Sequence, residues 1–211
     1  MRYSVIIVAA GNGSRMKLGY NKVYYRMDEK TILEHTMRLF LDDTACRELI
    51  IVTDSCQYVK EVGIFDGRIV LVQGGSTRQE SVARGLHAVT EKIVMVQDGA
   101  RPYLSFAELK ALKDVMRTER AACLAVEVKD TVKQVCGAYV SKTIPRETLV
   151  AAQTPQVFDT ALLIHCMHQA KQNGFVGTDD CSLVERFSDV RIRLVKGRYT
   201  NRKITTPEDL F

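Results

Sequence analysis

Two glycines, two cations and one carboxylate stand where they could hold a phosphorylated nucleotide. Ala9-Ala10-Gly11-Asn12-Gly13-Ser14-Arg15-Met16 follows the apolar run Val5-Ile6-Ile7-Val8, and Lys22 comes soon after. A β-branched run opening into Gly-x-Gly reads as a buried strand that feeds a glycine loop. Gly11 and Gly13 lack Cβ, so their N–H groups can close on phosphate oxygens. Arg15 adds a planar fork and Lys22 a point charge on a flexible stem. The loop has two readings: a cradle for a nucleoside triphosphate, or a strand-to-helix turn with exposed cations. It is not a P-loop, because Gly-Lys-Ser/Thr is missing, and Met16 stands where a dinucleotide fingerprint has its third glycine.

The carboxylate is Asp98, at the end of Ile93-Val94-Met95-Val96-Gln97 and just before Gly99-Ala100-Arg101-Pro102. Beside phosphates it suits Mg²⁺, which takes one or two carboxylates and completes its shell with phosphate oxygens and water. It could equally be a turn aspartate bonded to backbone N–H groups. Arg78 follows Gly74-Gly75-Ser76-Thr77 and can reach a nucleotide or merely cover a helix start. Thr77 and Glu80 read as a helix cap, and Ser81 lies on the first turn of the same helix. His165 and His168 fall on the polar side of a helix and Cys166 on its apolar side, so no metal site is expected there. Asp179-Asp180 reads as acidic residues in a first helical turn.

These groups need a frame. A chain of 211 residues is expected to form one domain over residues 1–211, with a real core. Its formal charge of +5 suits an anionic small molecule. No block of Lys/Arg interleaves with aromatics, so nucleic acid is not expected as a partner. No apolar run is long enough for a membrane span, and the short N-terminal run is not a signal peptide. The six cysteines are scattered, without a C-x-x-C pair, and read as reduced thiols of a cytoplasmic protein.

Strands are expected at about residues 3–8, 49–52, 69–72, 93–96, 122–126, 153–158 and 190–195. A short extended piece is expected at Val23-Tyr24-Tyr25. Helices follow the capping sequences Thr31-x-x-Glu34, Thr77-x-x-Glu80 and Ser105-x-x-Glu108. Others are expected over residues 160–173, from Thr178-Asp179-Asp180 to about Phe187, and at Thr206-Pro207. Residues 55–67 are ambiguous, with room for one short helix. Alternation of this kind implies α/β architecture: a Rossmann-like three-layer domain with a mostly parallel twisted sheet. Ligands of such sheets sit beyond the carboxyl ends of the strands. Those ends carry Gly11/Gly13, Gly74/Gly75 and Asp98/Arg101. Val128 to Thr143 breaks the rhythm and reads as a protruding β-hairpin arm, at about residues 128–150, which a second subunit could cover.

At this point the chain resembles the 2-C-methyl-D-erythritol 4-phosphate cytidylyltransferases of the non-mevalonate isoprenoid pathway. The resemblance rests on Ala9-Ala10-Gly11-x-Gly13-x-Arg15-Met16 with Lys22, and on Gly74-Gly75-x-x-Arg78-x-x-Ser81-Val82-x-x-Gly85-Leu86. It continues through Asp98-x-Ala100-Arg101-Pro102, Asp130-Thr131-Val132-Lys133, Gln153-Thr154-Pro155-Gln156-x-Phe158 and Thr178-Asp179-Asp180. It ends with Asn201-x-Lys203-Ile204-Thr205-x-Pro207-Glu208-Asp209-Leu210. The resemblance implies that CTP and a polyol phosphate give a CDP-polyol and pyrophosphate, in a homodimer with an exchanged arm. By position, Arg15, Lys22 and Lys203 match phosphate-binding catalytic cations. Ala9, Ala10, Gly11 and Gly13 match the glycine loop, with Arg78 beside it. Gly74, Ser81, Ala100 and Arg101 match the cytidine region. Asp98 matches a Mg²⁺ carboxylate, and Thr131, Arg146, Thr154 and Thr178 match polyol-phosphate contacts, some supplied across the dimer.

The chain departs from the pattern at three places. Asn21 replaces a proline before Lys22, which implies a looser loop. Gln97-Asp98-Gly99 replaces His-Asp-Ala, which bears on contacts around the base. The sequence ends at Phe211, where relatives continue into a terminal helix. Three alternatives remain at this stage: a ribitol-5-phosphate cytidylyltransferase of the same fold, a dinucleotide-binding oxidoreductase, and a non-catalytic nucleotide-binding module.

Overall fold

Seven strands form one twisted sheet with helices on both faces, in a computed structural model that describes residues 1–11 and 19–210. The central strand is β1 (Tyr3–Val8). It pairs in parallel with β4 (Cys46–Val52) and β6 (Ile93–Asp98), and β4 pairs in parallel with β5 (Ile69–Val72). On the far side of β6 lies β10 (Val150–Asp159), then β7 (Ala121–Glu127) and β11 (Arg193–Lys196). Only β10 runs against the others, antiparallel to both β6 and β7. The mostly parallel sheet expected from the sequence is therefore present. The reversed strand matters for the site, because it brings the start of β10 to the edge where the parallel strands end.

The alternation of side chains along buried strands builds two cores. Val5, Ile7, Leu49, Ile51 and Met95 face one side. They meet Ile32, Leu33, Met37 and Phe40 of α1 (Ile32–Asp42), and Leu109 and Leu112 of α4 (Phe106–Val115). Tyr58 of α2 (Ser55–Glu61) joins them. Ile6, Ile50, Val52, Val94 and Val96 face the other side. They meet α3 (Arg78–Leu86), α5 (Thr160–Gln172) and α6 (Asp180–Phe187). Each such aliphatic side chain, fully withdrawn from water, contributes about 1.5–3 kcal/mol.

The helix starts follow local chemistry. Thr31 and Ser105 form closed capping boxes with Glu34 and Glu108. Thr77 caps α3 by accepting from the Glu80 N–H, but Glu80 turns its carboxylate to Ser76 and Arg84 instead of closing the box. Residues 22–24 form a 3₁₀ turn where an extended piece is expected, because the Asn21 side chain accepts from the Val23 N–H and starts a turn. The segment from Pro207 to Leu210 is likewise 3₁₀. The arm is a separate two-stranded sheet of β8 (Val132–Cys136) and β9 (Tyr139–Ile144), not an extension of the main one. A further small pair, β2 (Arg26–Met27) and β3 (Lys30–Thr31), precedes α1.

At the amino edge of the sheet, Tyr3 Oη donates to Asp43, whose carboxylate also meets Lys113 Nζ at 2.6 Å. This ties the foot of β1 to the turn after α1 and to α4. On the opposite face α3 lies close on β1 and β4 at Gly85. A Cβ there would stand 2.8 Å from Ile6 Cγ2 and 3.1 Å from Val52 Cγ2. Gly85→Val is expected to overpack this contact and lower stability by about 1–3 kcal/mol, read from the urea midpoint; an unchanged midpoint would show that the helix lifts without cost.

Candidate functional site

A cavity of about 470 Å³ opens at the edge where the parallel strands end. The register sets its floor: Val8 pairs with both Val52 and Asp98, so three strand ends lie in one row. The chain leaves β1 through Ala9, whose N–H donates to Val52 O, and the Gly99 N–H donates to Val8 O. Two glycines permit the close approach. A Cβ on Gly74 would lie 2.1 Å from Ala10 Cβ, and one on Gly99 would lie 2.9 Å from Val8 O. At Gly99 this chain thus brings its backbone closer to β1 than a side chain would allow.

Asp98 is the electrostatic centre of the cavity. It is 7% exposed. Its Oδ2 lies 2.9 Å from Lys203 Nζ and 3.5 Å from Arg101 Nε, and its Oδ1 lies 3.3 Å from Arg78 Nε. Burial pushes its carboxyl upward, but Lys203, Arg78 and Arg101 outweigh that and hold it at about 2. Arg78 also reaches Asp180, with Nη2 2.8 Å from Oδ2. Asp180 is buried at the first position of α6, and burial pushes its carboxyl up against the pull of Arg78. Burial likewise opposes the charge on Arg78, and its two carboxylates more than offset this. The guanidinium keeps its proton. Three cations therefore face two carboxylates, and Lys22 lines the same cavity. The excess positive charge suits a polyanion.

A polar network behind the cavity places Lys203. Arg101 Nη1 donates to Asn201 O at 2.7 Å, and the Asn201 side chain donates to Thr154 O at 3.0 Å. Gln153 Nε2 donates to Arg198 O, and the Ile204 N–H donates to Ala100 O. Thr154 Oγ1 accepts from the Asp98 N–H at 3.0 Å. The reversed β10 thus links β6 to the segment that carries Lys203.

Of the residues expected from the sequence, Ala9, Ala10, Gly11, Lys22, Arg78, Ser81, Asp98, Ala100 and Lys203 line this cavity. Gly74, with Ala10 and Gly11, lines an adjoining one of about 580 Å³. Arg101 and Thr154 lie behind the wall, and Thr154 is buried with its hydroxyl engaged by Asp98. Thr131 and Arg146 are exposed on the arm, where Arg146 Nη1 donates to Lys129 O. Thr178 is exposed before α6. Gly13 and Arg15 fall outside the described residues. Sequence reasoning missed two side chains. Asp180 was assigned to a first helical turn, yet it anchors Arg78; Asp179 alone does the capping, through Ser182. Asn21 donates its amide to Ala9 O and accepts from the Val23 N–H, which ties the Lys22 turn to the end of β1. Gln97 is fully buried, with Nε2 donating to Arg101 O. His165 and His168 are exposed, and no group of three metal-ligating side chains occurs among the described residues.

Comparison with known proteins places the chain in a family. The model of the 2-C-methyl-D-erythritol 4-phosphate cytidylyltransferase (IspD) family matches residues 3–211. A relative of that name from Halalkalibacterium halodurans is 43% identical, over 100% of this chain and 95% of its own. The crystal structure of the Francisella tularensis protein of the same name superposes with a TM-score of 0.88 at 32% identity, covering 100% of this chain and 97% of that one. A 4-diphosphocytidyl-2C-methyl-D-erythritol synthase from Anaerococcus prevotii also gives 0.88, at 31% identity, covering 99% and 94%. The chain belongs to the 2-C-methyl-D-erythritol 4-phosphate cytidylyltransferase family.

Proposed function

We propose that this chain joins CTP to 2-C-methyl-D-erythritol 4-phosphate, giving the CDP-polyol and pyrophosphate. One observation carries the reading: Lys22, Arg78 and Lys203 converge with Asp98 on a cavity at the carboxyl edge of the sheet. Family membership supplies the identity of the two substrates and disfavours the ribitol-phosphate and oxidoreductase alternatives.

An oxygen of the polyol phosphate attacks the α-phosphorus of CTP. That P–O bond forms as the bond from the α-phosphorus to the bridging oxygen breaks, and pyrophosphate leaves with the electron pair. A phosphate monoester is largely dianionic at neutral pH, so the attack needs no base. Catalysis then consists of alignment and charge stabilisation. Lys22, Arg78 and Lys203 hold the phosphates, beside Ala10 and Gly11 in the same cavity lining. Asp98 is the one acidic side chain lining this cavity, among the described residues, and it suits a divalent ion that completes its shell with phosphate oxygens. Mg²⁺ held by Asp98 would supply neutralisation of phosphate charge.

The arm is read as a dimer contact. Val135, Tyr139 and Val140 are 65%, 82% and 62% exposed on it, more apolar surface than a free hairpin keeps without cost. Thr131 and Arg146 lie outside their own chain's cavity, so in this reading they serve the polyol phosphate in a second copy. No helix among the described residues is long and apolar enough to cross a membrane, and all six cysteines are free. A cytoplasmic location accords with both.

Pyrophosphate release from CTP, Mg²⁺ and the polyol phosphate tests the reaction, and CTP binding without release would overturn it. Lys22→Ala is expected to lower kcat by about 10²–10³-fold. Mixing Lys22→Ala with Arg146→Ala chains should restore turnover through hybrid dimers, since one site then has both residues; no recovery would place Arg146 within its own subunit. Asp98→Asn separates charge from fold. The native carboxyl stays ionised down to about 2, whereas the unfolded chain takes up its proton near 3.8. The wild type therefore loses stability as pH falls from about 4 to 2, and the variant lacks that part of the loss. Parallel stability–pH curves would show that the three cations do not act on Asp98.

A further inference from the structure

Asp180 is a fully buried carboxylate that the proposed reaction does not use. A buried charge is costly unless paired, and helix initiation does not require this one, because Asp179 already caps α6. Its backbone is fixed from two directions. Gln156 Oε1 accepts from the N–H groups of both Asp180 and Cys181, at 3.1 and 3.0 Å. Gln79 holds the preceding loop, donating to Phe175 O and accepting from the Gly177 N–H. Gln79 follows Arg78 on α3, so the starts of α3 and α6 are fastened together at adjacent positions.

Arg78 is held along one edge of its guanidinium. Nε meets Asp98 and Nη2 meets Asp180, while Nη1 has no partner among the described residues and the side chain lines the cavity. We propose that Asp180 is a positioning residue: by gripping Nη2 it turns the Nη1 edge of Arg78 toward the triphosphate of a bound nucleotide. Without it the guanidinium has only Asp98 to fix it, and its planar fork loses the orientation that phosphate recognition needs. The inference rests on the reading of Arg78 as a phosphate contact.

The test measures CTP and inorganic tripolyphosphate binding calorimetrically in wild type, Asp180→Asn, Arg78→Gln and the double variant, beside wild-type pyrophosphate release. Asp180→Asn should weaken both ligands about tenfold, the scale of one charge-assisted contact. Added to Arg78→Gln, it should weaken them no further, and it should raise Tm above that of Arg78→Gln alone by removing a stranded charge. If Asp180→Asn alone fails to fold, Asp180→Glu takes its place, and its displaced carboxylate should likewise weaken both ligands about tenfold. Wild-type affinity in Asp180→Asn, fully additive losses, or a wild type that binds neither ligand would overturn the proposal. Wild-type binding with this pattern but no pyrophosphate release would sink the reaction and leave the positioning role standing.

Discussion

One carboxylate surrounded by three cations governs this edge of the molecule. Asp98 sits where water is largely excluded, so its charge survives only because Lys203, Arg78 and Arg101 stand within 3.5 Å. The dependence is mutual. Each cation is drawn inward by Asp98, and each comes from a different part of the chain: α3, the turn after β6, and the segment after β11. A single buried charge thus gathers three distant stretches of sequence at one point. The surplus of positive charge left over is what a polyphosphate would meet.

The reversed strand β10 makes that gathering possible. In an all-parallel sheet the strand beside β6 would end at this edge and leave by a loop. Here it begins at this edge, so Gln153, Thr154 and Gln156 are side chains of a strand and not of a free connection. Thr154 meets the backbone of Asp98, Gln153 meets Arg198, and Gln156 receives the first N–H groups of α6. This short polar stretch acts as scaffolding from within the sheet.

How much of this was legible in the sequence depends on range. Strands such as 69–72 and 93–96 declare themselves through apolar runs, and α1 and α4 through caps whose bonds form as written. The site residues adjoining glycines or strand ends were also legible, because open parallel sheets bind ligands at one edge. Pairings between distant residues were not. Asp180 looks like any acidic residue in a first turn; only the fold brings it 2.8 Å from Arg78, about a hundred positions earlier. The bonds of Asn21 were hidden for a different reason. Losing a proline removes a fixed φ, but the amide that replaces it makes two bonds that proline cannot make. Residues 22–24 were read as extended because that bond pattern was invisible.

The far edge of the sheet tells the other half of the story. Tyr3, Asp43 and Lys113 knit the foot of β1 to two helices, at the opposite end of the same strand from the cavity. Folding reserve and chemical work therefore reside at separate ends of one strand. An engineer seeking heat tolerance should begin at the foot, where reinforcement leaves the residues lining the mouth unaltered. By the same logic, drift that erodes the foot would be felt first as lower abundance in the cell, with each surviving molecule still competent.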